Sequence, residues 1–379
     1  MVADAAEAKG GTRGQRRAVL YIDCREGLSH HERCNHLDLA QRLAILQGLP
    51  FDGTRDTPPL EAGSFLVPGD TLAGGNVPAV RGEGDLYGGV VPKPFVATKA
   101  ITHRLLSPDA VAPAGWSHTF GERVRDVVLA GYTVFDPQDA RLACERLLQR
   151  GPVRLKPVQA AGGQGQVTVE CRADIEPALD DIGEGRIAGA GLTVEENLAS
   201  VVTFSVGETR IDDRVIAYCG TQALTRDNLG FSVYGGSDLI VIRGRLAELQ
   251  ARLPSPMRDA VALARTYDEA ASTCFPGFVA SRRNYDVARG LDARGRMRQG
   301  VLEQSWRIGG ASGAEVAALE AFQADESLRV VRTRCVEIYG DARALPSHAI
   351  LSFCGIDPQV GPITKYALIE PHGSEHQDY

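Results

Sequence analysis

The chain has 379 residues, of which 44% are hydrophobic and 23% charged, and a formal net charge of -7. That length implies two or three subdomains sharing a cleft, and the acidic balance argues against a broad phosphate-neutralising surface of the kind that holds nucleic acid. No window approaches about 18 consecutive apolar residues, and the start, MVADAAEAKGGTRGQRR, has no apolar signal core, so a cytoplasmic protein with no membrane contact is expected. The eight cysteines (24, 34, 144, 171, 219, 274, 335, 354) form no Cys-x-x-Cys pair and are expected as free thiols.

Residues 1–17 lack an apolar period and are expected as a disordered tail. Order begins with AVLYID (18–23), short enough for a buried strand, and a helix is predicted over 36–47, where Leu39, Leu43 and Leu46 recur at helical spacing before Gly48. SFLV (64–67) reads as a strand and 68–94 as loops; a helix is expected at 98–106. Asp136-Pro137, then Ala140, Ala143, Cys144, Leu147 and Leu148, then Gly151, is a helix with an N-cap, a proline at its first position and a terminating glycine. VRLKPV (153–158), QVTVE (166–170) and GLTVEE (191–196) read as strands, with a helix at 174–182. Strand-like runs follow at 201–206, 214–221 and 238–242, a helix at 257–271, strands at 278–288 and 298–305, and a helix at 313–323; the remainder is mixed.

Three segments carry candidate chemistry. In VRLKPVQAAGGQGQVTV (153–169), a strand bearing Lys156 runs through Gln159 into Gly162, Gly163 and Gly165 and then a second strand. Glycines let backbone N–H groups approach a polyphosphate, and the lysine adds a cation. No GK[ST] ends the loop, so it is not a Walker A sequence, and by itself it fits a plain flexible hairpin equally. LTVEENL (192–198) places Glu195, Glu196 and Leu198 at a strand end able to offer backbone groups and an apolar face to a flat base, whereas in isolation the two acids fit solvated surface. In YDVARGLDARGRMRQGVLEQSWRIGG (285–310), two strands joined by a charged turn set Asp286 against Glu303, a carboxylate pair suited to Mg²⁺. Ser305 shares that face and Arg307 lies two residues beyond; an ordinary exposed hairpin is the alternative.

Taken in order, these segments resemble the ATP-grasp superfamily, which includes D-alanyl-D-alanine ligase, biotin carboxylase and many carboxylate-amine ligases, and more narrowly a bacterial ATP-grasp-like family of unknown function. The family's first lysine is matched by Lys99 in VATKAITHRLL, its strand lysine and glycine loop by Lys156 and Gly162–Gly165, its hinge acid by Glu195, and its metal and arginine positions by Asp286, Glu303 and Arg307. Two departures stand out: the family's asparagine ligand is Ser305 here, and VVTFSV (201–206) carries no ribose-binding acid.

The resemblance implies an α/β fold (α+β ATP-grasp). Its divisions are an N-terminal α/β lobe over 18–95, a central helix region and small ATP-binding subdomain over 96–198, a larger subdomain with the metal site over 199–345, and a C-terminal extension over 346–379. It implies ATP with Mg²⁺, or Mn²⁺, as cofactors, with Lys99 and Lys156 on the phosphates, Asp286, Glu303 and Ser305 on the metal, and Arg307 helped by Arg283 on the oxyanion. The implied reaction activates a small-molecule carboxylate as an acyl phosphate for attack by an amine or similar nucleophile. An inert nucleotide binder and a small-molecule kinase are the rivals, and the family also allows a homodimer. Two local features stay open: Cys24, His30, His31, Cys34 and His36 form either a zinc cluster or a helix start in which His30 and His31 touch substrate, and NLGFSVYGGSDL (228–239) is either a substrate loop or a surface turn.

Overall fold

β1 (Ala18–Ile22) is buried along its whole length, as its unbroken apolar sequence requires of a strand covered on both faces. The structure, a computed structural model, describes residues 18–159, 165–341 and 344–370. The expected tail over 1–17, and Gly162 and Gly163, lie outside the described residues. β1 is the centre of a parallel sheet ordered β2–β1–β3, with β2 (Phe51–Arg55) and β3 (Ser64–Pro68) at its edges. The connecting helix α1 (His30–Gln47) begins six residues before the predicted start. Ser29 and Glu32 form a reciprocal capping box that starts the helix there, and Gly48 ends it with φ of 64°. β4 (Leu72–Ala73) and β5 (Gly89–Val91) follow within the predicted loop region. The helix expected at 98–106 is a 3₁₀ turn, Lys99–Thr102, because the chain is already extended at His103. α2 (His118–Val124) then packs towards the large subdomain.

The small subdomain is a four-stranded sheet ordered β6–β9–β7–β8, comprising β6 (Gly131–Val134), β7 (Val153–Pro157), β8 (Val167–Val169) and β9 (Leu192–Glu196). Its apolar side is covered by α3 (Pro137–Leu148), α4 (Ile175–Ile182) and α5 (Glu184–Ala190). α3 starts where the punctuation placed it: the Asp136 carboxylate accepts from the backbone of Gln138 at 2.8 Å and Asp139 at 3.2 Å.

The large subdomain is an eight-stranded sheet ordered β15–β14–β10–β11–β12–β16–β18–β17. Its strands are β10 (Ala199–Ile211), β11 (Arg214–Arg226), β12 (Ser232–Arg243), β14 (Arg282–Leu291), β15 (Met297–Ser305), β16 (Val330–Tyr339), β17 (Ile350–Asp357) and β18 (Gly361–Ile369). α6 (Leu246–Gln250) and α7 (Met257–Cys274) cover one face; β13 (Val279–Ala280) pairs with β5, and α8 (Ser312–Ala324) joins α1 and β1 in a core on the other face. Two expectations are corrected. The stretch set apart as a C-terminal extension supplies β17 and β18 of this sheet, and most of the expected loop 228–239 is β12, with only residues 227–231 turning between strands. The glycines at 235 and 236 serve close strand approach there rather than a turn: a side chain at Gly236 would meet the backbone of Cys335.

The eight cysteines are free thiols. Among the described residues no helix is long and apolar enough to cross a membrane. Asp136→Ala removes the α3 cap and is expected to cost about 1 kcal/mol, read as a lower urea midpoint by far-ultraviolet circular dichroism; an unchanged midpoint would contradict the cap.

Candidate active site

The seam between the two larger sheets is a cleft of about 880 Å³, and it is there that separated sequence segments meet. Antiparallel pairing of β14 and β15 sets Asp286 directly opposite Glu303 and Asn284 opposite Ser305, with a bulge immediately after the acidic pair. Gln222 Nε2 donates to Asp286 Oδ1 at 2.8 Å, and Asn284 Nδ2 donates to the same oxygen at 3.1 Å. Burial pushes the Asp286 carboxyl up to about 6, the Glu303 charge adds to it, and the two amide donors do not offset them. Lys99 Nζ lies 2.9 Å from Glu303 Oε2, so the first lysine and the acidic pair form one contiguous group.

The second lysine approaches from the other sheet. Lys156 on β7 forms an ion pair with Glu195 on the adjacent strand β9, and His103 Nε2 lies 3.0 Å from the other Glu195 oxygen. Burial alone would raise the Glu195 carboxyl, but the Lys156 ammonium and then His103 hold it at about 2. Glu195 is therefore chiefly the internal partner that aims Lys156. Glu196, the next residue, points elsewhere: its Oε1 accepts from Ala130 N at 3.0 Å and from Arg298 at 3.2 Å. Leu198 packs with Leu129, Ala288 and Leu302, and all four line the cleft as an apolar patch beside the hinge. Gln159 lines the same cleft, and Gly165 has φ of 64° at the described end of the loop.

Arg307 lines the cleft, its Nη1 donating to Ile308 O at 2.8 Å and its Nε 3.4 Å from Asp70. Burial, and next the Arg25 charge, lower its pKa. Arg283 does not join it. An odd-numbered separation on a strand places Arg283 on the face of β14 opposite Asp286, where it binds Glu83 at 2.7 Å and Asp268 at 3.1 Å. Its neighbour Arg282 is on the cleft face, buried, paired with Glu315 at 2.6 Å. Arg282 Nη1 also donates to Ser305 O at 3.1 Å and Ser305 Oγ at 3.3 Å, so Ser305 reaches the cleft with a guanidinium already on its hydroxyl.

His31 lines the cleft as well; its backbone N–H donates to Asp357 at 2.8 Å, and its Nδ1 has no partner among the described residues. His30 instead lies at the surface beside Cys34, and His36 is buried against Tyr21 at 3.1 Å. Among the described residues no three His, Cys, Asp or Glu side chains are grouped to hold a metal, which removes the zinc alternative for Cys24, His30, His31, Cys34 and His36. Gln222, Asn284, Arg282 and Leu302 were missed in the sequence. Alternation along β14 signals Asn284 and Arg282 once Asp286 is chosen, whereas Gln222 comes from two strands away and left no local signal.

The chain has the ATP-grasp fold. It is similar to N5-carboxyaminoimidazole synthetase from Staphylococcus aureus complexed with ADP, at 10% identity and a TM-score of 0.52 over 94% of each chain. A second structure of that S. aureus synthetase gives 10% identity and a TM-score of 0.50, again over 94% of each. The biotin carboxylase domain of Hydrogenobacter thermophilus 2-oxoglutarate carboxylase matches at 13% identity and a TM-score of 0.44, covering 67% of this chain and 61% of that one. At family level the chain belongs to the family described as "Protein of unknown function (DUF3182)", which matches residues 19–367. No curated protein sequence matches it.

Glu195 makes acid stability a direct readout of the Lys156 contact. Its folded pKa of about 2 lies below the ordinary 4.5, so its contribution is present above about 4.5 and is lost as pH falls towards 2. That contribution is on the order of 3 kcal/mol. Glu195→Gln should be less stable at pH 7 and lose less stability than wild type between pH 5 and 2 in parallel denaturant titrations. Identical pH slopes would refute the buried pair.

Proposed function

We propose that the chain binds ATP in this cleft and uses it to activate a small-molecule carboxylate as an acyl phosphate, which an amine or similar nucleophile then displaces. The observation that carries the proposal is that Lys156, Asp286 and Glu303, from three separated strands, line one cleft, with Lys99 paired to Glu303 from behind that lining. That charge arrangement suits a triphosphate with a divalent cation better than it suits an uncharged ligand. The S. aureus synthetase complexed with ADP supports the same choice of ligand on this fold.

The acidic pair fits Mg²⁺, or Mn²⁺, on its own chemistry: two carboxylates face each other, and Asp286 is held protonated to higher pH by burial and by Glu303, a cost that a hard cation relieves. When bound, the cation supplies neutralisation of phosphate charge. Asp286 and Glu303 are the residues to hold it, with both Asp286 donors on Oδ1 and none on Oδ2 among the described residues. Lys99 and Lys156 orient the phosphates as donors, each with a carboxylate partner that fixes its ammonium. Leu129, Leu198, Ala288 and Leu302 offer the apolar faces a purine requires, beside backbone groups of the Glu195–Leu198 hinge. Arg307, confined between Ile308 O and Asp70, would face the acyl oxygen on which charge develops.

Nucleotide binding without turnover is a second reading, favoured by one observation: Arg282 donates to the Ser305 hydroxyl at the position where the superfamily carries asparagine. Two measurements decide. Titration calorimetry with a nonhydrolysable ATP analogue and Mg²⁺ should show binding, weakened roughly tenfold or more in Lys156→Ala. Incubation with ATP, pooled carboxylates and hydroxylamine should give ADP and a hydroxamate, and Glu303→Ala should lower that turnover by about a hundredfold or more. Binding with neither product leaves the inert reading, a phosphorylated product stable to hydroxylamine indicates a kinase, and absence of analogue binding by wild type sinks the whole assignment.

A further inference from the structure

A second cavity, of about 310 Å³, opens where the β14–β15 turn meets the end of α3. Its charged lining is Arg150, Arg294, Arg296 and Arg298 against only Glu196 and Asp292. Asp292 is taken by Arg296 at 2.8 Å and Glu196 by Arg298 at 3.2 Å. The guanidinium groups of Arg150 and Arg294 have no hydrogen-bond or ion-pair partner among the described residues. A concavity with two uncompensated positive charges runs against the chain's overall charge of -7. Like charges gathered around a hollow repel one another, weakly where solvent screens them, and an anion between them turns that repulsion into attraction.

The two unpaired arginines flank a tight junction between subdomains. Gly151, next to Arg150, has φ of 149° and touches Ala293, next to Arg294; any side chain at 151 would collide with Ala293. The contact holds Arg150, at the end of the small subdomain's helix, beside Arg294 of the large subdomain's turn. An anion between them joins both halves of the molecule. Guanidinium forks match phosphate and carboxylate oxygens geometrically, and the cavity has room for a small organic anion.

We propose that this cavity is a binding site for a small anion bearing phosphate or carboxylate groups, held by Arg150 and Arg294 and separate from the nucleotide cleft. Glu196 is the one residue among those described that lines both cavities. An anion that draws Arg298 towards itself weakens the Arg298 contact to Glu196 and changes the hinge wall of the cleft. Anion and nucleotide then alter each other's affinity by the same factor. Only this coupling rests on the proposed ATP function; the anion site does not.

The test is titration calorimetry of inorganic phosphate and, separately, succinate into the full chain, which also tells a phosphate-bearing from a carboxylate-bearing ligand. Wild type should bind at least one of them at millimolar concentration or below. The Arg150→Ala/Arg294→Ala double variant should bind roughly a hundredfold more weakly, about tenfold for each lost charge-assisted contact. Both side chains are exposed, and circular dichroism checks that the variant folds. Glu196→Gln, which frees Arg298, should bind the anion several-fold more tightly. Failure of both anions to bind wild type, or equal binding by the double variant, overturns the site; unchanged binding by Glu196→Gln overturns the link through that residue. If the anion binds as expected while the ATP analogue does not, the ATP assignment falls and the anion site stands.

Discussion

Two carboxylates facing each other across one β ladder repel, and the arrangement of the cleft follows from how that repulsion is contained. Residues directly opposite on antiparallel strands have Cβ atoms about 5 Å apart, so in the half-buried place they occupy Asp286 and Glu303 oppose each other's ionisation unless positive charge or strong donors lie near. The protein supplies these asymmetrically. Glu303 has the Lys99 ammonium at 2.9 Å; the hydrogen-bond donors to Asp286 among the described residues are the neutral amides of Gln222 and Asn284, with the Arg282 charge a smaller influence. The raised carboxyl of Asp286 is the residue of that imbalance.

Of the two amides that hold Asp286, that of Asn284 is itself held by Ser205 and Tyr218. Ser205 Oγ donates to Asn284 Oδ1 at 2.7 Å, and the Tyr218 hydroxyl lies 2.7 Å from Glu315, which also binds Arg282 and Tyr87. Glu315 is on α8, so a helix from the N-terminal lobe's side of the sheet reaches through this network to the floor of the cleft. Removing one partner of a buried, fully bonded charge leaves the other uncompensated, which is why such networks fix geometry even where their net stabilisation is small. The same network places Arg282 against the Ser305 hydroxyl.

Local signals carried the start of α3, though its end falls at Gln149 and not at the expected terminating Gly151, together with the alternation of β14 and β15 and the apolar run of β1, because caps, period-two patterns and short apolar runs act within a few residues. The Lys99, Lys156, Asp286 and Glu303 set was legible only as an ordered series, since each segment alone fits an ordinary hairpin or surface. Non-local pairing was not legible: Gln222 reaches Asp286 across β10, and β17 and β18 join the sheet through β16, with nothing in their own sequence naming that partner. Arg283 shows how narrow the margin is. Two adjacent arginines have the same chemistry, and strand parity alone sends one to Glu315 beneath the cleft and the other to Glu83 and Asp268 behind it.

The same parity divides labour at the hinge. Glu195 and Glu196 are consecutive at the end of β9, so their side chains leave on opposite faces. Glu195 enters the interior of the small subdomain, where Lys156 and His103 hold it ionised, and its burial makes that contact stiff. Glu196 stays at the seam, bound to the Ala130 backbone on one side and to Arg298 of the large subdomain on the other. An exposed ion pair is weak and exchangeable, whereas a buried one is not. Two identical side chains thus make one buried contact within a subdomain and one more exposed contact between subdomains.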